Sequence, residues 1–138
     1  MGEEIEESLI LDKSALGHLR ITKSLESCFK NLGHEVKTNK EYTTVVNNTA
    51  LDGEFDLVSI NEERKVVIVF EIKSRKSPGT SRKAYSQLAK DWVYLSSKHK
   101  DYHFVLMYAW GDENSKKGYS VRRCNQDSVL SKLDKYFD

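Results

Sequence analysis

Two pairs of charged residues have the types and the spacing needed for chemistry on a phosphate ester. Asp56 follows Glu54 by two positions, and Lys73 follows Glu71 by two positions. Side chains alternate across a β-strand, so residues two apart lie on one face. If the two pairs lie on neighbouring strands, three carboxylates and one ammonium group therefore meet on a single face of a sheet.

Carboxylates that converge in this way repel one another unless a cation compensates their charge. Mg²⁺ prefers oxygen ligands and usually binds one or two carboxylates together with phosphate oxygens. A bound metal ion polarises a phosphoryl group, and Lys73 could orient or deprotonate the attacking water. The residues therefore predict a metal-assisted attack of water on a phosphoryl group.

The acidic and basic pairs fall in two predicted strands, residues 54–60 and 65–74, whose short connection favours an antiparallel hairpin. A two-residue turn at Glu63 and Arg64 would place Asp56 opposite Glu71. A four-residue loop over 61–64 would instead place Glu54 opposite Glu71. We favour the four-residue loop, because Glu-Arg suits a tight turn poorly. Both registers keep the acids on one face, opposite Phe55 and Leu57.

Hydrophobic periodicity and turn residues predict the elements around this hairpin. The order α-β-β-β-α-β-β-α predicts an α/β fold with a central mixed sheet of four to five strands flanked by helices. The helix after the hairpin should return the next strand parallel to the second hairpin strand. The predicted helices are 13–32, 81–97 and 127–136, and the predicted strands are 35–47, 54–60, 65–74, 102–110 and 119–123.

Bulk properties indicate one soluble domain over 1–138, with 1–10 as a flexible acidic leader. Hydrophobic residues make up 38% of the 138 residues and charged residues 31%, and the net charge is +1. The lack of a signal peptide or a long apolar run predicts a cytoplasmic location without membrane association. The two cysteines suggest neither a disulfide framework nor a zinc site, and Cys28 is expected to be a core thiol.

The segments 53–58, Gly-Glu-Phe-Asp-Leu-Val, and 69–75, Val-Phe-Glu-Ile-Lys-Ser-Arg, resemble the PD-(D/E)XK nuclease superfamily. Residues 53–79 are especially similar to the YraN-like group, and the layout resembles archaeal Holliday-junction resolvases and RecB-like nuclease domains. The resemblance implies a restriction-endonuclease-like core and Mg²⁺- or Mn²⁺-dependent hydrolysis of DNA. It makes Asp56, Glu71 and the Ile72 carbonyl metal ligands, Lys73 a catalytic lysine and Gln87 a further catalytic candidate.

Two departures from the superfamily pattern concern Asp56 and the first helix. No proline precedes Asp56, and no acid stands early in the first helix, where many members carry one. Glu26 is the nearest helical acid and shares a stripe with His18, so either could complete the site. Glu54 is a further candidate ligand.

Basic residues follow the acidic strand without an intervening acid, which indicates contacts to a phosphate backbone. The candidates are Arg75, Lys76, Arg82 and Lys83. The expected partner is DNA, with RNA not excluded, and the chain could form a homodimer or join a replication or repair assembly. The alternative function is a non-catalytic nucleic-acid- or protein-binding module that retains the nuclease fold; near-neutral charge favours it.

Overall fold

The structure is a computed structural model that describes residues 13–137, so the predicted leader at 1–10 lies outside the described residues. None of the helices in this described part is long and apolar enough to cross a membrane. The elements, in chain order, are α1 (Lys13–Asn31), β1 (Glu35–Val46), β2 (Thr49–Asn61), β3 (Val66–Lys73), α2 (Pro78–Lys98), β4 (His103–Gly111), β5 (Tyr119–Arg123), α3 (Gln126–Leu130) and a 3₁₀ helix (Ser131–Tyr136).

The five strands form one mixed sheet in the order β1-β2-β3-β4-β5. β3 and β4 are parallel, as expected of two strands joined by a helix, and all other neighbours are antiparallel. The predicted α/β class, with a mixed sheet between helices, is confirmed. β5, at the bounds predicted for the last strand, lies at one edge of the sheet.

Each face of the sheet packs against one long helix. Val67 and Val69 of β3 belong to a core that includes Leu88 of α2. Phe70 and Ile72 belong to a second core, which α1 covers with Ile21, Leu25 and Phe29. Successive residues of β3 therefore point into different cores, so Glu71 and Lys73 lie on the face of α2.

The hairpin between β2 and β3 differs from the favoured register. Asn61 pairs with Val66 and Leu57 pairs with Phe70, so the loop holds Glu62–Lys65 instead of 61–64. The Asn61 side chain accepts a hydrogen bond from the Arg64 amide at 3.0 Å and Lys65 takes a φ of 53°, which together close the loop. Extended by one residue, this register brings Asp56, not Glu54, level with Glu71.

Two predictions for the helices were wrong in detail. Cys28 is exposed, and Ile21, which is only 4% exposed, is a core residue of α1. α2 begins at Pro78 instead of 81, because Ser77 and Thr80 form a capping box and proline suits the first helical position.

Candidate active site

β2 loses its regular alternation at Asp56. Phe55 packs in the core under α2, whereas Leu57 packs in the core under α1. Residues two apart in a regular strand share a face, so the expectation that Phe55 and Leu57 do so was wrong. The last residue pair between β2 and β3 is Leu57 with Phe70. Beyond it the two strands separate, and Asp56 stands at that point.

Asp56 replaces the missing strand contact with its own side chain. Its Oδ2 accepts a hydrogen bond from the Ile72 amide at 2.6 Å, and its Oδ1 lies 3.3 Å from His18 Nε2 on α1. Burial by itself raises the pKa of Asp56, but the hydrogen bonds from His18 and Ile72 outweigh it, and the pKa is lowered overall. Asp56 is therefore held as a carboxylate with a fixed orientation.

Glu71 is almost completely enclosed, with only 2% of its surface exposed. Its Oε1 is buried and has no hydrogen-bond partner. Burial raises the pKa of Glu71 well above its usual range, and the nearby charges of Asp91 and Asp56 raise it further. An ionised Glu71 thus lacks the donor or cation that a buried carboxylate requires.

Asp91 on α2 is a fully buried acid that the sequence reasoning missed. It accepts hydrogen bonds from the Tyr42 hydroxyl and from Gln87 Nε2, the latter at 2.9 Å, and lies within hydrogen-bonding range of Glu71. Burial raises the pKa of Asp91 to about 6, although those hydrogen bonds oppose the shift. Asp91 Oδ2 is also buried without a partner. With both pKa values raised by burial, at least one of these two acids is protonated when no cation is bound.

A signal for Asp91 was present in the sequence. It continues the stripe of buried α2 positions at spacings of three and four residues, where the other members are apolar: Ala84, Leu88 and Leu95. A charged residue on such a stripe is rarely tolerated without a partner.

Asp56 and Glu71 line a cleft of about 510 Å³ between the end of β3 and α2, which we call the active cleft. Lys73 is half-buried there on the same face as Glu71. The opposite wall is basic, with Arg82, Lys83 and Lys90. The complete lining consists of Glu54, Asp56, Glu71, Lys73, Arg82, Lys83, Ser86, Gln87 and Lys90.

The Ile72 carbonyl points to the side of β3 from which β2 has separated. In a β-strand the N–H and C=O of one residue point to the same neighbouring strand. The Ile72 N–H points to Asp56, so its carbonyl also points into the gap where β2 has left β3.

Three predicted residues lie away from the active cleft. Glu26 pairs with Lys30 at 3.5 Å, and His18, the other candidate on α1, contacts Asp56 instead. Arg75 lines a separate groove beside α1. Lys76 Nζ lies 4.7 Å from the centre of the Trp110 ring, where cation and ring attract each other.

The donor set can be compared with the needs of a metal ion. Among residues 13–137, no group of three or more His, Cys, Asp or Glu side chains forms a ready-made metal site. Mg²⁺ does not require one, because it commonly takes one or two carboxylates and keeps water or phosphate as other ligands. Two carboxylates, Asp56 and Glu71, and the Ile72 carbonyl fit that coordination, and Glu71 Oε1 has no other partner among the described residues.

Comparison with known proteins adds information on the fold alone. No protein-family model matches the chain, and no curated protein matches it in sequence. The fold is similar to that in the crystal structure of SSO0001, with a TM-score of 0.50 and 14% sequence identity. The similarity covers 98% of this chain and 67% of that chain.

Proposed function

We propose that the protein is a nuclease of the PD-(D/E)XK type that hydrolyses DNA phosphodiester bonds with Mg²⁺ or Mn²⁺. The carrying observation is that Asp56 and Glu71 converge where β2 and β3 separate, with Glu71 Oε1 buried and without a partner. A cation is the group that such a pair of acids lacks.

Asp56, Glu71 and the Ile72 carbonyl would hold the metal, which supplies a Lewis acid for the phosphoryl oxygens and stabilises the charge that develops on them. The Ile72 amide and His18 fix the orientation of the Asp56 carboxylate before any ligand arrives. Fixed outer partners of this kind are typical of metal ligands.

Lys73 and the basic wall act on the substrate. Lys73 lines the active cleft, and its ammonium group would donate hydrogen bonds to the attacking water or to the scissile phosphate. Gln87 Nε2 is held by Asp91 at 2.9 Å and by the Tyr42 hydroxyl at 3.1 Å, which gives the amide group one orientation at the cleft wall. Arg82 and Lys83 would neutralise the flanking phosphates.

Cleavage of duplex, single-stranded and branched DNA in Mg²⁺ or Mn²⁺ tests this function. Glu71→Gln and Lys73→Met should each lower the cleavage rate by at least about a hundredfold, the usual cost of losing a group that stabilises transition-state charge. The matched controls are Glu63→Gln and Lys37→Met, which change exposed residues of the same types. Failure of the wild-type protein to cut any DNA with either metal, or unaltered rates in both site variants, would contradict the proposal.

Thermal unfolding tests metal binding separately from cleavage. Mn²⁺ at about a hundred times its Kd should stabilise the wild-type protein by about 2.7 kcal/mol, because only the folded state binds it. Asp56→Asn should lose most of this stabilisation, whereas Asp127→Asn, in exposed α3, should keep it. Equal metal-induced shifts in Tm for the two variants would remove Asp56 from the metal site.

The alternative is a non-catalytic binding module, and the net charge of +1 favours it. It predicts DNA binding without cleavage in either metal, with the same affinity for the wild-type protein and for Glu71→Gln. Loss of cleavage in Glu71→Gln together with cleavage by the wild-type protein would rule it out.

A further inference from the structure

A second groove lies on the other side of the sheet end, beside α1, and the chemistry above does not use it. We call it the α1 groove; its volume is about 930 Å³, larger than that of the active cleft. Its walls come from α1, from the segment after β3 and from the loop between β4 and β5. Ile21 lies in its apolar floor, and Tyr119 and Ser24 join β5 to α1 there through a hydrogen bond of 2.8 Å.

Three cationic side chains from three separate elements line the α1 groove. Arg20 lies on α1, Arg75 follows β3, and Lys117 lies in the β4–β5 loop. All three are exposed, and within residues 13–137 none of them forms a salt bridge. Cations without carboxylate partners around one concave surface favour an anionic ligand.

Two acids also line the groove, but they differ in role. Asp112 accepts hydrogen bonds from Ser120 Oγ of β5 at 2.7 Å and from the Asn114 amide in the β4–β5 loop at 3.0 Å. Both of its carboxylate oxygens therefore accept hydrogen bonds within this part of the protein. Those hydrogen bonds lower the pKa of Asp112. Glu113 is exposed on the rim and makes no salt bridge among the described residues. Asp112 and Glu113 therefore both oppose an anionic ligand, and Glu113, which is exposed, is the one whose charge can be removed without breaking the hydrogen bonds that Asp112 accepts.

The α1 groove adjoins the active cleft at two places in the chain. Lys73 lines the active cleft, and the next residue, Ser74, lines the α1 groove. His18 contacts Asp56, and its neighbour Gly17 lines the α1 groove. A ligand long enough to pass over the end of β3 would therefore contact both sites.

We propose that the α1 groove binds the phosphate backbone of the nucleic acid that flanks the cleavage site, through Arg20, Arg75 and Lys117. This inference rests on the proposed nuclease function, because it supplies the second contact surface of the same substrate. A polyanion is favoured over a small anion because the three cations come from separate elements around a large open groove, not from one pocket.

The salt dependence of DNA binding tests the α1 groove. The probe is a fluorescein-labelled DNA duplex in EDTA, with affinity measured by fluorescence anisotropy. Each phosphate contact contributes about 0.9 to the slope of log affinity against log salt. Raising the salt concentration from about 50 to 200 mM should therefore weaken DNA binding by R20Q/K117Q about tenfold less than it weakens binding by the wild-type protein. The double variant should also bind DNA more weakly than the wild type at about 50 mM salt.

Two controls accompany the double variant. K37Q/K98Q removes two exposed lysines that do not line the groove and should match the wild-type slope. Glu113→Gln removes the opposing rim charge and should strengthen binding. A slope for R20Q/K117Q equal to that of the wild type, a wild-type protein that binds no DNA, or equal losses in K37Q/K98Q would each overturn the inference.

The outcomes separate this inference from the proposed function. DNA binding that depends on Arg20 and Lys117, without cleavage in Mg²⁺ or Mn²⁺, would support the α1 groove and contradict the nuclease. Cleavage by the wild-type protein with unaltered binding by R20Q/K117Q would support the nuclease and contradict the α1 groove.

Discussion

Glu71 and Asp91 lie in contact in the interior of the protein, each with one oxygen that no donor reaches. Two buried acids at this distance cannot both ionise without a large cost in free energy. At least one of them is therefore protonated when no cation is bound, and a bound cation would displace that proton. Evolution can retain such a pair where the unfavourable charge is compensated by a ligand.

Glu71→Gln should stabilise the metal-free protein near neutral pH. The substituted amide has nearly the same shape, carries no charge and can donate a hydrogen bond to the unpartnered Oδ2 of Asp91. The gain should be about 1–2 kcal/mol, measured by urea denaturation in EDTA. Glu63→Gln, in the exposed β2–β3 loop, should leave the free energy of unfolding unchanged. A destabilised Glu71→Gln protein would show that the Glu71 carboxyl is already satisfied.

The pH dependence of stability should carry the signature of Asp91. Its pKa is about 6 in the folded protein, compared with 3.8 for an unperturbed aspartate, so the folded chain keeps a proton that the unfolded chain has released. The free energy of unfolding should therefore fall as the pH rises from about 4 to 6, by about 2 kcal/mol from this group. Urea titrations in EDTA should show a flatter profile for Asp91→Asn. Parallel profiles for the two proteins would contradict the raised pKa.

At the scale of elements, the sequence predicted the type and order of the helices and strands because each has clear periodicity. The β2–β3 register could not be read from turn preferences, because it depends on the Asn61 side chain and on the left-handed backbone of Lys65. The break in β2 at Asp56 also escaped prediction. Alternation assumes a regular strand, and this irregularity arises from tertiary packing on two cores.

Gly111, at the end of β4, shows how closely the elements beside the site approach. A Cβ there would lie 2.1 Å from the Ser74 carbonyl oxygen, which is backbone and cannot rotate away. Gly111→Ala should therefore destabilise the protein by about 3 kcal/mol, measured by chemical denaturation. Gly79→Ala, in the first turn of α2, is the control, since its nearest neighbour would be Ser77 Oγ at 3.9 Å. It should be neutral or slightly stabilising, and similar losses for both variants would contradict the close approach.

Across the whole molecule, local charge matters more than the net charge of +1. The meeting of Glu71 and Lys73 on one face was predictable from strand periodicity, whereas Asp56 reaches them at a break in β2 that periodicity does not predict. Asp91 and the division of the basic residues between two sites were not predictable either, because they depend on how α1 and α2 cover opposite faces.

Because β2 separates from β3, one part of β2 pairs with two neighbouring strands and the other part pairs with one. Residues 57–60 of β2 pair with strands on both sides, whereas residues 49–55 pair with β1 alone. Local opening of a segment requires less free energy where fewer strands hold it. Amide hydrogen exchange should therefore be faster for 49–55 than for 57–60, as measured by NMR. Uniform protection along β2 would contradict this division.

The Ile72 amide is a special case in such an experiment. It lies at the separation point, and its proton is protected by the carboxylate of Asp56, a side chain, rather than by a neighbouring strand. The exchange rate of the Ile72 amide therefore reports whether the Asp56 carboxylate stays in position, and the measurement needs no substrate. Asp56→Ala should accelerate exchange at Ile72 far more than at Phe70, whose residue still pairs with Leu57.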